Sequence, residues 1–270
     1  MPPIFSEYKK LIDEFLLQFL DSKKEELALV NSFGPDLCDR IRKMSVSGKS
    51  IRGSLALFSY CFTNNKPSEN AVKIAAALEL LQTALVTHDD IMDRDEVRRG
   101  IPSFYVQYKS DGMAMCVGDL LFFLAMELVG SIKTDEVTLG RIVRFVGREY
   151  ALVCLAQMAD VAHMPKTKDE IVSLYTYKTA RYTFAVPLML GAMLAGTTKT
   201  MLKYLESYGV AAGILFQIRD DTLDHEETLG ANVVRAYQTA GMESVDRLPI
   251  SENNKKILFD MLQFVMKRDK

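Results

Sequence analysis

Two acidic motifs with the same spacing are the part of this sequence best suited to chemistry. Each reads D-D-x-x-D, at residues 89–93 and at residues 220–224. On a helix, the first and last aspartates of such a motif project from the same face, one turn apart. Clustered carboxylates raise each other's pKa unless a positive charge neutralises them. Because Mg²⁺ is usually held by one or two carboxylates plus waters and substrate phosphates, the motifs predict a site for a phosphorylated substrate.

A single motif of this kind is more often a solvated, acidic helix end. Here both copies follow strongly apolar sequence, at residues 75–86 and 210–218, so they are expected at the ends of buried helices. We therefore interpret the pair as a metal–diphosphate site. The six candidate ligands are Asp89, Asp90, Asp93, Asp220, Asp221 and Asp224.

Basic residues beside a glycine suit the same chemistry. The stretch Gly48-Lys49-Ser50 resembles part of a nucleotide-binding P-loop, but that motif needs glycine where the chain has Lys43, and no strand precedes it. We therefore reject a nucleotide site. The alternative is that Lys49 and Arg52 bind a phosphate group together with the N-terminus of the helix that begins there. Basic residues at such a junction are also commonly just solvated, and that interpretation stays open.

Further candidates lie just after the first motif and just before the second. Arg98 and Arg99 follow the first motif by five and six residues, within reach for bidentate hydrogen bonds to diphosphate oxygens. The alternative for this pair is a surface ion-pair network with the acidic residues beside it. Lys178 stands in a mostly uncharged helical segment, and Gln217 lies nearly one turn before the second motif.

The composition indicates a globular protein with little net charge. With 270 residues, of which 49% are hydrophobic, the chain can bury a large core, as one domain or as two. Its net charge of -2 gives no basic field for nucleic acid. The first residues lack an apolar signal core, and the longest uncharged run, residues 182–198, is shorter than the ~20 residues of a membrane span. We therefore expect a cytoplasmic protein without a transmembrane segment.

The cysteines and histidines do not suggest a site of their own. The four cysteines lie far apart in apolar contexts without a C-x-x-C pair, and the three histidines show no metal-binding spacing. The cysteines are therefore expected to be reduced residues of the core. They are Cys38, Cys61, Cys116 and Cys154.

Apolar residues recur with helical spacing along most of the chain. No strand-like block and no long linker interrupts this pattern, and short joints at residues 64–68, 100–103 and 164–165 separate the periodic stretches. The sequence predicts an all-α bundle in one domain over residues 1–270, with ligands bound between helices. The predicted helical stretches are residues 8–29, 51–62, 70–92, 113–129, 135–162, 168–194, 200–223 and 253–265.

Several segments match one known pattern. They are Gly48-Lys49-Ser50-Ile51-Arg52, residues 85–93 with the first acidic motif, Arg98-Arg99-Gly100, Gly118-Asp119, Lys178-Thr179 and residues 216–221. In this order they resemble the motifs of the trans-isoprenyl diphosphate synthase family, whose members make farnesyl, geranylgeranyl and longer polyprenyl diphosphates. The resemblance implies an all-α helical bundle of the isoprenoid synthase type, with a deep central cavity, that forms a homodimer.

The resemblance also implies a reaction and its residues. Isopentenyl diphosphate would condense with an allylic prenyl diphosphate, whose departing diphosphate leaves a carbocation that the isopentenyl double bond attacks. The six aspartates would hold about three Mg²⁺ ions and, with Lys178, form the catalytic set. Substrate binding would fall to Arg98, Lys178 and Gln217 for the allylic diphosphate, to Lys49, Arg52, Gln82 and Arg99 for isopentenyl diphosphate, and to Thr179 beside Lys178.

Product length in this family depends on side chains along the helix that ends in the first motif. Successive turns of a helix are about 5.4 Å apart, on the order of one isoprene unit. Ala84, five residues before the motif, is small, and Leu85 and Leu81 are medium-sized. We therefore expect a product of twenty carbons or more, with Phe122 or Phe123 as a deeper floor of the cavity or as ordinary core.

The chain departs from the family pattern in two respects. Gln82 stands where the family usually has histidine, so it can donate a hydrogen bond but carries no proton at neutral pH. Residues 204–254 contain no lysine for a closing loop, and the sequence ends about 46 residues after the second motif, which we interpret as a shortened C-terminal region. We expect slow condensation with a weak hold on the allylic substrate.

Two other functions fit parts of the pattern. One is a non-catalytic or weakly active regulatory subunit of a heteromeric prenyl diphosphate synthase. The other is a terpene cyclase, which shares the first motif, but the complete second D-D-x-x-D disfavours it.

Overall fold

The computed structural model of the chain describes residues 2–164, 166–223 and 229–267. The fold is all-α, as the sequence predicts, and 81% of it is helical. The strands in these ranges form one antiparallel hairpin, in which β1 (Val97–Arg98) pairs with β2 (Ile101–Pro102). The helices are α1 (Pro3–Ala28), α2 (Phe33–Val46), α3 (Ile51–Tyr60), α4 (Glu69–Asp93), α5 (Phe104–Tyr108), α6 (Asp111–Gly130), α7 (Glu136–Val161), α8 (Lys168–Tyr175), a π-helix (Thr176–Ala185), α9 (Val186–Leu194), α10 (Lys199–Leu223), α11 (Ala231–Arg247) and α12 (Glu252–Lys267).

The predicted helical stretch over residues 168–194 is helical throughout, but its middle part is a π-helix. It consists of α8, the π-helix and α9. Pro187 lies in the first turn of α9, directly after the π-helix. Because proline has no N–H, it makes no backbone hydrogen bond back into the π-helix. Apolar periodicity does not show a π-helix, since the spacing of the apolar residues hardly changes over so few turns.

The sequence pattern also misses α2 and α11. The inward positions of α2 include Gly34, Cys38 and Ser45, and those of α11 include Gly241 and Ser244. Both helices are amphipathic but hydrophilic on average, so their apolar residues stand out less from the sequence than those of the buried helices. The other predicted helical stretches overlap helices of the structure.

Contacts within the chain divide it into two compact units. The first unit comprises Met1–Phe5, Leu55–Pro67 and Thr134–Lys270, and the second unit comprises Ser6–Ser54 and Ser68–Lys133. The first acidic motif belongs to the second unit, and the second motif belongs to the first unit. The prediction of one domain over residues 1–270 stays a prediction.

In the second unit, the long helix α4 packs along α6. The close approach depends on Gly118 of α6, because a Cβ atom there would lie 2.2 Å from Nε2 of His88. The His88 ring also lies 5.8 Å from the ring of Phe122, centroid to centroid. Gly118 thus lets the last turns of α4, which carry the first acidic motif, lie directly against α6.

In the first unit, α10 packs against the π-helix, α11 and α12. Gly213 of α10 is needed for the first of these contacts, because a Cβ atom there would lie 2.3 Å from Cα of Ala180. On another face of α10, the buried Tyr208 donates a hydrogen bond of 2.8 Å to the carbonyl oxygen of Leu258 on α12. These contacts fix the helix that ends in the second acidic motif.

The prediction that all four cysteines lie in the core is wrong for two of them. Cys38 is buried and Cys61 is partly buried, but Cys116 and Cys154 are exposed. In the described part of the chain, these four cysteines form no disulfide bond. The two exposed cysteines occupy outward positions on α6 and α7, helices that carry apolar residues on more than one face.

Among the described residues, α4 and α6 are long and apolar enough to cross a membrane, judged by length and composition alone. Core helices of soluble proteins pass the same test. In the most apolar window of each helix, 72% of α4 but only 44% of α6 is buried within the chain. Helix α6 therefore presents an apolar surface that the described residues of the chain do not cover.

Candidate functional site

The first acidic motif occupies the last turn of α4. The helix begins at Ser68, whose side chain accepts a hydrogen bond from the backbone N–H of Ala71, and it ends at Asp93. The next residue, Arg94, adopts a left-handed conformation with φ of 60° and closes the helix. Asp90 is only 2% exposed, whereas Asp93 is exposed. Three aspartates of one turn thus lie in different environments.

Asp90 accepts a hydrogen bond from Arg98, which the family resemblance assigns to binding of the allylic diphosphate. Nε of Arg98 donates a hydrogen bond of 2.6 Å to Oδ1 of Asp90, and Nη2 of Arg98 lies 2.8 Å from Oδ2 of Asp95. Burial raises the pKa of Asp90, and the hydrogen bond from Arg98 opposes this shift. The contact with Asp95 belongs to the ion-pair network considered as the alternative for Arg98. This arginine therefore neutralises carboxylates at the end of α4.

Arg99 points to a different partner because of the hairpin between β1 and β2. The two residues of the loop, Arg99 and Gly100, have φ of 56° and 75°, the pair of positive angles that a tight type I′ hairpin requires. Nη1 of Arg99 donates a hydrogen bond of 2.9 Å to the carbonyl oxygen of Met44 in the last turn of α2. A cation suits this place, since the last carbonyls of a helix lack partners within it.

The guanidinium of Arg99 also packs on the glycine of the first basic motif. A Cβ atom on Gly48 would lie 2.8 Å from Cζ and Nη1 of Arg99, so a side chain at this position would push the guanidinium away. Burial lowers the pKa of Arg99, the carboxylate of Glu79 opposes the shift, and the charges of Arg52 and Arg98 add to it. Arginine nevertheless stays protonated in proteins. The positive charges of Arg52 and Arg98 thus repel that of Arg99 within the second unit.

The start of α3 is anchored to the middle of α4. The backbone N–H of Gly53 donates a hydrogen bond of 2.8 Å to Oε1 of Glu79, whose side chain is buried. Arg52 lies in this first turn of α3 and is half-buried, while Lys49 is exposed just before it. The predicted set of Lys49, Arg52 and Arg99 therefore contains two arginines inside the unit and one lysine at its surface.

Gln82 lies on α4 three residues after Glu79 and therefore on a neighbouring position of the same face. Its side chain is buried, and its Oε1 atom has no hydrogen-bond partner in the described part of the chain. Buried polar atoms are normally paired with protein or ordered water. A ligand or water next to Gln82 would satisfy this oxygen.

The residues predicted to set product length all lie on α4. Ala84 and Leu81 are buried, and Leu85 is half-buried. Phe123 on α6 is 73% exposed in the chain. The expectation that Phe123 forms a floor inside the chain, or ordinary core, is therefore wrong, whereas Phe122 packs beside His88.

In the first unit, the π-helix carries two predicted site residues. Nζ of Lys178 forms an ion pair with Asp160 near the end of α7. Oγ1 of Thr179 donates a hydrogen bond of 2.9 Å to Oε1 of Gln217 on α10. Wide π-turns inside helices are rare and often occur at functional sites. Here the π-helix turns two consecutive side chains toward two different helices.

Asp221 of the second motif is held by two donors. Nε2 of Gln217 donates a hydrogen bond of 3.0 Å to Oδ1 of Asp221, and the hydroxyl of Tyr175 donates to Oδ2. Asp220 is half-buried at the end of the same helix. Asp224, the last predicted ligand, lies outside the described residues.

Three residues of this unit are missed by the sequence analysis. Tyr175 and Asp160 contact predicted site residues, and Glu149 forms a buried ion pair in which Nε of Arg181 lies 2.7 Å from Oε2. Burial opposes the charge of Glu149, but hydrogen bonds from Arg181 and Arg148 outweigh it and lower the pKa of Glu149. A buried carboxylate within an apolar helix, such as α7, is the one signal in the sequence that indicates such a pair.

Mg²⁺ requires oxygen ligands, which the carboxylates of the two motifs could supply. In the ranges that the structure describes, three or more histidine, cysteine or acidic side chains do not gather closely enough to hold a metal ion. Asp89 and Asp93 nevertheless lie one turn apart on α4. Because Mg²⁺ commonly takes only one or two carboxylates and completes its shell with waters and substrate phosphates, this donor set fits the ion.

Fold and site together define a class of protein: an all-helical protein in which apolar helices end in paired carboxylates, with arginines beside one of these ends. The family model described as "Polyprenyl synthetase" matches residues 36–233, well over half of the chain. The chain therefore belongs to the polyprenyl synthetase family.

Curated relatives carry related names. The chain is 36% identical over 197 residues to a "Short chain isoprenyl diphosphate synthase" from Methanothermobacter thermautotrophicus, a match that covers 70% of this chain and 59% of that protein. It is 32% identical over 162 residues to a "Geranylgeranyl diphosphate synthase" from Methanosarcina mazei, covering 58% of this chain and 49% of the relative. The chain thus matches between about half and three fifths of the length of these two proteins.

Solved structures share the fold over nearly the whole chain. The structure of a geranylgeranyl pyrophosphate synthase from Corynebacterium glutamicum, complexed with isoprenyl diphosphate and magnesium, superposes with a TM-score of 0.86. The match covers 97% of this chain and 99% of that one at 20% identity, a similarity that establishes the fold alone.

Proposed function

We propose that the protein is a Mg²⁺-dependent trans-prenyltransferase that condenses isopentenyl diphosphate with an allylic prenyl diphosphate to a longer all-trans prenyl diphosphate. One observation carries the proposal: the hairpin at residues 97–102 sets two arginines beside the carboxylate end of α4. Arg98 donates a hydrogen bond to Asp90, and the guanidinium of Arg99 packs against Gly48. Cations and carboxylates in this arrangement suit a diphosphate bound through a metal ion. Membership of the family supports the same reaction.

The allylic diphosphate is assigned to the residues around the two acidic motifs. Asp89 and Asp93 would hold Mg²⁺ from α4, and the aspartates of the second motif would do so from α10. Bound Mg²⁺ supplies charge stabilisation for the departing diphosphate. Gln217 lies one turn before Asp221, and Lys178 precedes Thr179, which donates a hydrogen bond to Gln217. Lys178 and Gln217 would donate hydrogen bonds to diphosphate oxygens, which stabilises the negative charge that develops as the bond to carbon breaks.

Isopentenyl diphosphate is assigned to the basic cluster of the second unit. Arg52 and Arg99 would bind its diphosphate as planar, permanently charged donors, and Lys49 would add a flexible charge from the surface. The amide of Gln82 would donate one further hydrogen bond. Because arginine forms bidentate bonds to phosphate, this site orients the substrate as well as binding it.

The product is proposed to contain twenty carbons or more. Ala84 leaves space one to two turns before Asp89 on α4, and the next inward residues are leucines of medium size. Both Ala84 and Leu81 are buried, as residues that limit a tail must be. A bulky side chain at position 84 would block the tail earlier.

A homodimer in the cytoplasm is proposed as the working state. Helix α6 supports the dimer, because its apolar side chains Met115 and Phe123 are exposed in the single chain. Exposed apolar surface of this kind commonly marks an interface between proteins. Sedimentation of the purified protein would measure the assembly directly, and a monomer at micromolar concentration would contradict it.

The reaction is tested by supplying substrates of defined length. Purified protein is incubated with Mg²⁺, isopentenyl diphosphate and allylic primers of ten, fifteen or twenty carbons, and the products are separated by length. Asp89→Asn and Asp220→Asn are each expected to lower turnover by about two orders of magnitude or more, because a metal ligand is lost. Asp246→Asn, at an exposed position of α11, serves as the control and should retain activity. Equal activity in excess EDTA, or unchanged turnover in both variants, would sink the proposal.

A heteromeric synthase is the second candidate. One relative, from Geobacillus stearothermophilus, is named "Heptaprenyl diphosphate synthase component 2" and is 29% identical over 229 residues. The same assay separates the two functions. A chain that is inert with every primer, but that changes the rate or product of an added full-length synthase, is a regulatory subunit.

A further inference from the structure

The second acidic motif contains one aspartate whose two oxygen atoms are both engaged. Gln217, itself bound by Thr179, donates to Oδ1 of Asp221, and the Tyr175 hydroxyl donates to Oδ2. Gln217 and Thr179 belong to the motifs predicted from the sequence. Tyr175 does not, and it stands three residues before Lys178 at the end of α8.

The ring of Tyr175 is placed by packing rather than by its hydroxyl. It is buried in an apolar cluster with Ala180, Ile214 and Leu229. The cluster joins the π-helix, α10 and the segment just before α11, and partly buried residues extend it on both sides. They are Ile171, Val172, Val210, Ile218, Val233 and Tyr237. Because close packing leaves the ring few orientations, the hydroxyl is held in one position, next to Asp221.

Hydrogen bonds to both oxygen atoms of a carboxylate restrict its rotation. A carboxylate can accept about four hydrogen bonds, so two donors still leave lone pairs for other partners. Two donors on different oxygens fix the plane of the carboxylate. The helix end is fixed with it, since Gln217 and Asp221 lie one turn apart on α10.

We propose that Tyr175 is a positioning residue of the site, whose hydroxyl fixes the carboxylate of Asp221 and so preorganises the second acidic motif for the metal-bound diphosphate. This inference rests on the proposed function. Tyr175 acts through Asp221 and needs no contact with substrate. Preorganised ligands bind metal more tightly because less ordering is needed on binding.

The test is the Tyr175→Phe variant, which keeps the ring and removes the hydroxyl. Thermal unfolding is followed while Mg²⁺ is titrated in the presence of inorganic diphosphate, and the Mg²⁺ concentration for half of the stabilisation is recorded. The variant should need on the order of tenfold more Mg²⁺, as expected when a hydrogen bond to a charged group is lost. The Mg²⁺ dependence of turnover should shift in parallel, with the rate at saturating Mg²⁺ largely kept.

Two comparisons decide the interpretation. Tyr177→Phe removes a hydroxyl from an exposed tyrosine two residues further on, in the π-helix, and should leave the Mg²⁺ midpoint unchanged. In an Asp221→Asn background, Tyr175→Phe should have little further effect, because the two residues act as a unit. An unchanged midpoint in Tyr175→Phe, an equal shift in Tyr177→Phe, or a full shift that persists with Asp221→Asn would each overturn the inference.

The outcomes also separate this inference from the proposed function. If the wild-type protein is stabilised by Mg²⁺ and diphosphate but forms no prenyl product, the proposed function fails while the midpoints still decide the role of Tyr175. If Mg²⁺ and diphosphate do not stabilise the wild-type protein at all, both are overturned.

Discussion

The contact between Gly48 and Arg99 allows the proposed site for isopentenyl diphosphate to be perturbed without removing a charge. In Gly48→Ala, the new Cβ would start 2.8 Å from Cζ and Nη1 of Arg99. To reach ordinary van der Waals contact, the guanidinium must withdraw by about 0.6 Å. The hydrogen bond from Nη1 to Met44, now 2.9 Å long, would then be at the limit of hydrogen-bond geometry.

The displaced guanidinium should also lose about one charge-assisted hydrogen bond to the diphosphate. Such a bond contributes about 1.5–3 kcal/mol, which corresponds to roughly ten- to a hundredfold in binding. Because Arg99 is assigned to isopentenyl diphosphate and Arg98 is not moved directly, Gly48→Ala should raise the KM for isopentenyl diphosphate by about tenfold or more. The KM for the allylic primer should change little.

Initial rates measured over a grid of both substrates check this difference. Gly147→Ala is the matched control, since no atom lies within 4 Å of the added Cβ and alanine is favoured by about 1 kcal/mol over glycine inside a helix. It should keep both KM values and unfold at a slightly higher temperature. If Gly48→Ala leaves the isopentenyl KM within twofold of the wild-type value, or raises both KM values equally, the assignment of Arg99 is wrong.

Two further predictions concern the helix cores. Ala84→Phe should shorten the main product, because Ala84 is buried on α4 and an aromatic ring would block the growing tail; product analysis by chain length checks this, and an unchanged product distribution contradicts it. Glu149→Gln should lower the free energy of unfolding by about 1.5–3 kcal/mol near neutral pH, because Arg181 loses the charged bond to its buried partner and keeps only its ion pair with Glu206. The folded state holds the pKa of Glu149 below its usual value, so the stabilisation is complete above about pH 4.5 and is lost as the pH falls below it. Urea unfolding is therefore measured near neutral pH and below about pH 4.5. The difference in the free energy of unfolding between variant and wild type should be smaller in acid, and a constant difference would refute the ion-pair explanation.

The sequence predicts the helical architecture and the position of both acidic motifs because these depend on local periodicity. The C-terminal end of α4 is an example, since its apolar face and its run of aspartates are both visible in the sequence. The partners of those aspartates are harder to predict from the sequence. The bond between Arg98 and Asp90 depends on a hairpin whose loop requires a non-glycine residue, Arg99, at positive φ, which few residues adopt.

The first unit shows a second reason why parts of the site escape prediction. The π-helix changes the direction of side chains without changing the apolar pattern, so the ion pair of Lys178 with Asp160 cannot be inferred from spacing. Tyr175 likewise reaches Asp221 only because the packing of α8 against α10 brings residues 46 positions apart together. Contacts of this kind depend on tertiary structure, and propensities contain no information about them.

The hairpin loop has a consequence for how the two substrates affect each other's binding. Arg98 and Arg99 are neighbours along the chain, so their Cα atoms stay about 3.8 Å apart whatever they hold. Under the proposed function, one of these residues serves the allylic diphosphate and the other serves isopentenyl diphosphate. A ligand that immobilises the loop through one arginine thereby removes conformational freedom from the other, and the second ligand loses less entropy when it binds. The two diphosphates are therefore expected to bind with positive cooperativity, transmitted through a single peptide bond.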